Sequence, residues 1–565
     1  MLKTRYVLAS IGLLIVIFIA VMFFLPNLQV EKASKGKTYT ESVFDQSKVT
    51  NVDIKMDDDD LVSILENPTE KEIVNADVTI DGETVKNVGF RTKGNLSLNS
   101  VVQMEDSDRY SWKIDFDYYQ EDQDLHGLKK LALNNNYSDP TYMREYLSYE
   151  LMEKMGIATP GHSYMYVTIN GKEWGLYLGV EAIEETFLDT NFADGTGDLY
   201  YPDGTGSDLK WISDDIDDYT GINLKTNDNS DQSAMIKMLD VINNGGNLEE
   251  VLNVDEMLRY FAANTALVNL DHYQGDKKHN YYLYEENGVF SILPWDYNMS
   301  FGGYSGGGGR KGQAAEDEKA ADQKDAATVN GDTTAANDDD NAEFPGGSPN
   351  MNGGAMMDMS SNFMNESIIN FSITEPVSGT TLENRPLLNA LLSNEEYREK
   401  YYDYLDDIAT DFFSEENMTA MTTEISTLIS PYVEKDPTKF YTLDEYTEAT
   451  SGKETLVDFA TQRADSILAQ LSGDLVVEAE TESSMGGAAP NIDDGEDGAP
   501  QPPNMGDGEN GAAIKPPGMN ENMGSQGVAN SNYFKETIIL SSVLLLLLFG
   551  AMAFAHFFKR RGKRG

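Results

Sequence analysis

Cysteine is missing from all 565 residues. Its absence excludes disulfides, thiolate zinc sites and a cysteine nucleophile. For a chain placed outside the cytoplasm it also fits an envelope that does not rely on oxidative folding. Positive charge is scarce: 42 Lys and Arg stand against 95 Asp and Glu, a formal charge of -53. A surface this negative repels nucleic acid and anionic lipid, so neither is expected as a partner of the middle of the chain. It attracts divalent cations. No repeat of solenoid length is present.

Apolar runs of spanning length occur twice. Residues 6–25 (YVLASIGLLIVIFIAVMFFL) follow Lys3 and Arg5 and end in Phe23, Phe24, Leu25 and Pro26. With no small-residue cleavage pair there, the run reads as an uncleaved anchor, with a cleaved signal peptide as the rival. Residues 537–558 form the second run and are followed by Lys559, Arg560, Arg561, Lys563 and Arg564. Basic residues flank the outer side of both runs. The positive-inside rule then predicts a double-pass membrane protein with both termini cytoplasmic and the main domain extracellular.

Composition divides the remainder. An N-terminal anchor (1–26) and a polar stalk (27–48) precede an ordered region, 49–302. A low-complexity insert follows at 303–362, with almost no large aliphatic residues, then a helical region at 363–472. A Gly-, Met-, Pro- and Asp-rich linker at 473–532 leads to the C-terminal anchor and basic tail, 533–565.

Periodicity predicts strands over 76–80 and 88–92, with the turn Asp81-Gly82 and residues 83–87 joining them, then a polar loop over 94–109. Further strands are expected over 111–116 and 130–134, and a helix over 143–155 that ends at Gly156. Hairpins are expected around Asn170-Gly171 (163–169 with 175–180) and around Asn287-Gly288 (280–284 with 290–293). A helix is expected over 257–269, and helical spacing recurs over 387–404, 420–432 and 456–471. Asp57 to Asp60 read as a helix N-terminus rather than a calcium site. Strands first and helices later predict an α+β fold of two lobes.

The densest polar constellation is DHYQGDKKHNYYLYEENGVFSILPWDYNMSFGG, beginning at Asp271. A hairpin brings its flanks together, so Asn280 before it and Asp296 after it can face one point. Their oxygens suit Mg²⁺ or Mn²⁺ shared with phosphates. Asp271 can accept the proton of an attacking hydroxyl. Acid, metal-binding Asn, hairpin and metal-binding Asp before Gly-rich chain is the physical arrangement of protein kinases, although the interval from Asp to Asn is longer here. Asp and Asn beside turns also serve simply as turn formers. His279 is expected to brace the loop. Tyr281, Tyr282, Tyr284 and Trp295 are expected to pack the hairpin.

Several segments in order, VGFRTKGN from Val88, GLKKLALNNNYSDPTYMREYLSYELMEKMG from Gly127, GLYLGVEAIEETFL from Gly175, the Asp271 segment and RPLLNALL from Arg385, resemble the spore coat protein H (CotH) kinase family. The resemblance covers about 49–471, less the insert. It implies a divergent two-lobed protein-kinase-like fold, with a strand-rich N-lobe and a helical C-lobe. It also implies ATP with Mg²⁺ or Mn²⁺, and phosphate transfer to Ser or Thr of surface or secreted proteins. It gives Asp271 the role of catalytic acid residue, with Asp276 as second candidate, and makes Asn280 and Asp296 metal ligands. Arg91 and Lys93 lie where a strand meets a Gly-containing loop suited to phosphates. Lys113 rivals Lys93 as the phosphate-contacting lysine, with Glu145 or Glu150 as its partner. Glu181 falls at the hinge, beside adenine or as a helix cap. The alternatives are a non-catalytic module that organises the cell envelope, and transfer of AMP in place of phosphate.

Overall fold

Alternation of apolar side chains at a period of two builds the first half of the molecule, seen in a computed structural model that describes residues 38–193, 195–226, 230–304 and 363–477. Seven strands, β1 (Thr50–Met56), β2 (Val74–Ile80), β3 (Glu83–Lys93), β4 (Ser111–Asp115), β5 (Lys130–Asn134), β6 (His162–Ile169) and β7 (Lys172–Glu181), close into a barrel in the order β1-β2-β3-β4-β5-β7-β6. Closure comes from the parallel pairing of β1 with β6, Thr50 opposite Met165. Every other neighbouring pair is antiparallel. Val78, Phe90, Trp112, Ile114, Leu131, Leu133, Val167 and Tyr177 fill the interior. The intervening residues Ala132, Tyr164, Leu176, Leu178 and Val180 face outward and are buried against helices. Strands β6 and β7 are therefore covered on both faces, which explains their nearly unbroken apolar sequence.

The hairpins follow their turn chemistry. Asp81-Gly82 (φ 47° and 91°), Asn170-Gly171 (49° and 76°) and Asn287-Gly288 (57° and 85°) each place two residues in the left-handed region, as a two-residue hairpin loop requires. Residues 83–87, expected as connection, are the first half of β3.

Helices interrupt and then succeed the strands: α1 (Tyr39–Ser42), α2 (Asp58–Glu66), α3 (Leu96–Val102), α4 (Arg144–Lys154), α5 (Glu185–Asn191), α6 (Ser233–Asn244) and α7 (Val254–Leu267). Asp57 caps α2 by accepting from the Asp59 amide. Helix α3 lies in the stretch expected to be a loop, because Leu98 and Val101 find a place in the barrel core. A second, antiparallel sheet joins β8 (Asp198–Pro202), β9 (Ile222–Leu224), β10 (Tyr281–Glu286) and β11 (Val289–Pro294) in the order β11-β10-β8-β9.

The later part is helical: α8 (Glu366–Ile369), α9 (Pro386–Ser393), α10 (Glu395–Asp407), α11 (Glu415–Lys435), α12 (Leu443–Ser451) and α13 (Leu456–Ser472). The periodic stretch 387–404 is two helices. Asn394 breaks it, its side chain capping α10 through the amides of Glu396 and Tyr397. Helix α7 packs against α10, and α11 against α13, around one large core. The result is a mixed α/β protein, strand-rich first and helical later. Among the described residues no helix is long and apolar enough to cross a membrane. The runs 6–25 and 537–558 and most of the insert and of the linker lie outside the described residues.

Candidate functional site

Register decides what the barrel presents to the cleft. Arg91 lies opposite Lys113, Lys93 opposite Ser111, and Lys113 opposite Ala132. Cross-strand partners share a face, so these residues and Asn134 form one patch on the outside of the barrel. Lys93, Ser111, Lys113, Ala132 and Asn134 line a cavity there, along with Gly94 to Ser97 at the start of α3.

The opposite wall comes from the β10–β11 hairpin and the loop before it. Tyr281 pairs with Pro294, so Asn280 and Asp296 flank the open end of the hairpin and both reach the cavity. Both residues have left-handed backbones (φ 58° and 57°). Asn and Asp tolerate this conformation better than other residues, but it still carries strain of the kind that collects at functional sites. Helix α7 stops at Val268, itself left-handed at φ 49°, and Asp271 follows into the same cavity.

Asp271 is held from two sides. His279 Nε2 lies 3.0 Å from its Oδ1. Asn280 Nδ2 donates to its backbone oxygen at 2.9 Å and to Oδ2 at 3.3 Å. Burial would raise the Asp271 carboxyl, but the hydrogen bond and charge of His279 outweigh it and keep it below the usual carboxylate range. Burial likewise opposes the His279 imidazolium, yet Asp271 raises its pKa above the ordinary value. His279 thus braces the loop. Because the Asn280 amide nitrogen points at Asp271, its carbonyl oxygen, the atom that can ligate metal, is turned the other way.

Across the cleft, Lys93 Nζ donates to Asn134 Oδ1 at 2.8 Å, and Asn134 Nδ2 donates to both Glu145 oxygens, at 3.1 and 2.9 Å. Lysine and acid are therefore joined through an amide. Burial, followed by the charge of Asp296, pushes Glu145 up to about 7. Tyr201, Tyr282 and Trp295 also line the cavity, so part of the aromatic set expected only to pack the hairpin has a second face toward the cleft.

Six of the sequence-selected residues, Lys93, Lys113, Glu145, Asp271, Asn280 and Asp296, meet in this one cavity; four others lie outside its lining. Glu150 is five positions from Glu145, roughly 140° around the helix at 3.6 residues per turn, so both cannot face the cleft. It receives Gln46 at 2.8 Å and pairs with His162 at 3.1 Å. Glu181 is buried, accepts from the Gly161 amide at 3.0 Å, and is pushed up to about 7 by burial; its neighbour Ala182 takes the place in the cavity wall. Asp276 faces Lys277 at 3.4 Å and accepts from the Tyr304 hydroxyl at 3.1 Å. Arg91 is buried, with Nη1 donating to the Thr92 carbonyl at 2.9 Å.

Two contributors were not found from sequence. Asn134 is one. His272 is the other: the Tyr260 hydroxyl donates to its Nδ1 at 3.0 Å, and its Nε2 donates to the Trp295 carbonyl at 3.3 Å. Burial holds His272 down to about 3, so it stays neutral while it ties the Asp271 loop to the residue before Asp296.

The donor set can be tested against a divalent cation. No group of three or more His, Asp or Glu among the described residues is arranged to hold a metal. Asn280 and Asp296 instead offer hard oxygens from two residues, leaving positions for phosphate and water, which is the habit of Mg²⁺. Two lysines on the facing wall suit the phosphates. The residues fit both groups.

Barrel, trailing helices and a cleft with lysines on one wall and carboxylate and amide oxygens on the other define a mixed α/β protein built around a polar site. The chain belongs to the CotH kinase protein family, which it matches over residues 90–467. It is 30% identical over 190 residues to the inner spore coat protein H of Bacillus subtilis (strain 168), covering 31% of this chain and 51% of that protein. It is also 30% identical over 92 residues to an inner spore coat protein H-like protein of the same organism, covering 16% and 28%. The chain thus spans about half the length of the first relative and little more than a quarter of the second.

Proposed function

We propose that the protein is a metal-dependent protein kinase that transfers phosphate from ATP to Ser or Thr of proteins at the cell surface, on a kinase-like fold tethered to the membrane by its two apolar runs. One observation carries the reading: Lys93 and Lys113 face Asp271, Asn280 and Asp296 across a single cavity. Asn280 and Asp296 would hold Mg²⁺ or Mn²⁺, which would neutralise charge on the phosphates. The lysines orient the phosphates from the barrel side. Asp271, kept ionised by His279, accepts a hydrogen bond from the substrate hydroxyl and aligns its oxygen. As that oxygen bonds to the γ-phosphorus, the bond to ADP breaks and the hydroxyl proton passes to Asp271.

The test is incubation of the full chain with Mg²⁺ or Mn²⁺ and γ-labelled ATP. Label should enter protein Ser or Thr, and Asp271→Ala and Asp296→Ala should abolish it. Transfer of label from the α-position would indicate AMP transfer instead. Absence of nucleotide binding by calorimetry with either metal would favour the non-catalytic module.

A further inference from the structure

Two roles compete for Glu145. The family resemblance offers it, with Glu150, as the partner of a strand lysine. The geometry separates it from Lys93, whose ammonium is engaged by the neutral oxygen of Asn134 at 2.8 Å. On its other side, the Tyr149 hydroxyl donates to Glu145 Oε1 at 3.1 Å, and the Asp296 backbone lies near enough to favour the ionised form of that hydroxyl. Among the charges around Glu145, that of Asp296 acts most strongly, ahead of Lys93. Both carboxylates line the cavity that Asn280 also lines.

A buried carboxylate and a half-buried one on the same cavity are mutually unfavourable unless a cation lies between them. A carboxylate has about four lone-pair sites. The two bonds from Asn134 and the one from Tyr149 use three of those on Glu145 and fix its plane. Two carboxylates and one amide oxygen would balance a doubly charged ion, leaving coordination positions for phosphate and water.

We infer that Glu145 is a direct ligand of the divalent cation, completing a three-oxygen set with Asn280 and Asp296, and is not the counter-ion of Lys93. The inference rests on the metal-dependent reading above. The test measures Mn²⁺ uptake by the full chain, by electron paramagnetic resonance of the free ion, with and without a non-hydrolysable ATP analogue. Wild type should bind. Glu145→Gln should weaken binding at least tenfold, and Glu150→Gln, on the same helix but outside the cavity lining, should leave binding unchanged. A folded Glu145→Gln protein that binds Mn²⁺ as tightly as wild type overturns the ligand role and leaves the kinase reading standing. A wild-type protein that takes up no Mn²⁺ in either condition overturns both. Should the glutamine variant not fold, anomalous diffraction from wild-type crystals grown with Mn²⁺ decides. A peak at ligand distance from a Glu145 oxygen supports the inference, and a peak without that contact refutes it.

Discussion

Arg109 and Asp436 are 327 positions apart in the chain, yet their side chains form an ion pair at 2.9 Å with no exposure on either. Arg109 also donates to the carbonyls of Asn135 and Leu176 and to the Thr438 hydroxyl. The pair fastens the end of α11 to the outside of the barrel. Removing one member leaves a buried charge without its partner, so Asp436→Ala should cost about 3–5 kcal/mol. Replacing both with apolar residues of similar volume should recover much of that loss. Urea unfolding of the three proteins measures both effects, and equal losses in the single and double variants would contradict the account.

Gly175 makes this pairing possible. Its φ is +119°, and a Cβ there would lie 2.1 Å from Asp436 Oδ1. Gly171 shares a left-handed backbone, but nothing lies within 4 Å of its Cβ position. Gly175→Ala should therefore destabilise clearly more than Gly171→Ala, whose cost is backbone strain alone, roughly 1 kcal/mol. Thermal melts of the two variants give the comparison.

His279 sets the ionisation of Asp271. Because Asp271 sits below the ordinary carboxylate value, the acid limb of the proposed kinase rate should lie below about pH 4. His279→Gln removes the cation that opposes the effect of burial. The Asp271 carboxyl should rise, and the acid limb should move to higher pH, with the activity loss growing on the acid side of neutrality. A pH–rate profile reads this directly. An unmoved acid limb would show that His279 does not tune Asp271.

His162 and Glu150 make stability depend on pH. Burial would lower the His162 pKa, but the hydrogen bond and charge of Glu150, with Glu153 adding, raise it above 6.5. Burial would raise Glu150, but His162 brings it below 4.5. Gln46 and the Pro160 carbonyl are the other polar groups bonded there. A raised histidine contributes stability below its unfolded value and loses it as pH rises through the folded one. A depressed glutamate contributes above its unfolded value and loses stability as pH falls through the folded one. Both contributions are present together between about pH 4.5 and 6.5. The stability gap between wild type and His162→Gln should be widest there, about 1–2 kcal/mol given that Glu150 is partly exposed. It should narrow above neutrality, as denaturant midpoints across pH would show.

Much of the site could be read from sequence because the signals were local. Asn287-Gly288 forces a hairpin, and a hairpin brings Asn280 and Asp296 together whatever surrounds it. The helix carrying Glu145 showed its spacing and its Gly156 terminus. Sequence could not choose between Glu145 and Glu150, since only the direction of the helix axis relative to the barrel selects the face that meets the cleft. Asn134 and His272 were invisible for a related reason: each acts by bonding residues distant in sequence. The closed barrel was missed because its closing pair, β1 with β6, is parallel and spans more than a hundred residues, with no turn to announce it. The two apolar runs, so plain in composition, lie outside the described residues.

Barrel closure has a consequence for where the chain can be cut. The family match begins at residue 90, inside β3, whereas the ring begins at Thr50. A protein started at residue 90 would lose β1, β2 and most of β3, leaving β6 and the remnant of β3 as two unpaired rims. Rims of this kind recruit strands from other molecules. Such a fragment would carry every cleft residue and still precipitate, so the smallest soluble piece should start upstream of Thr50.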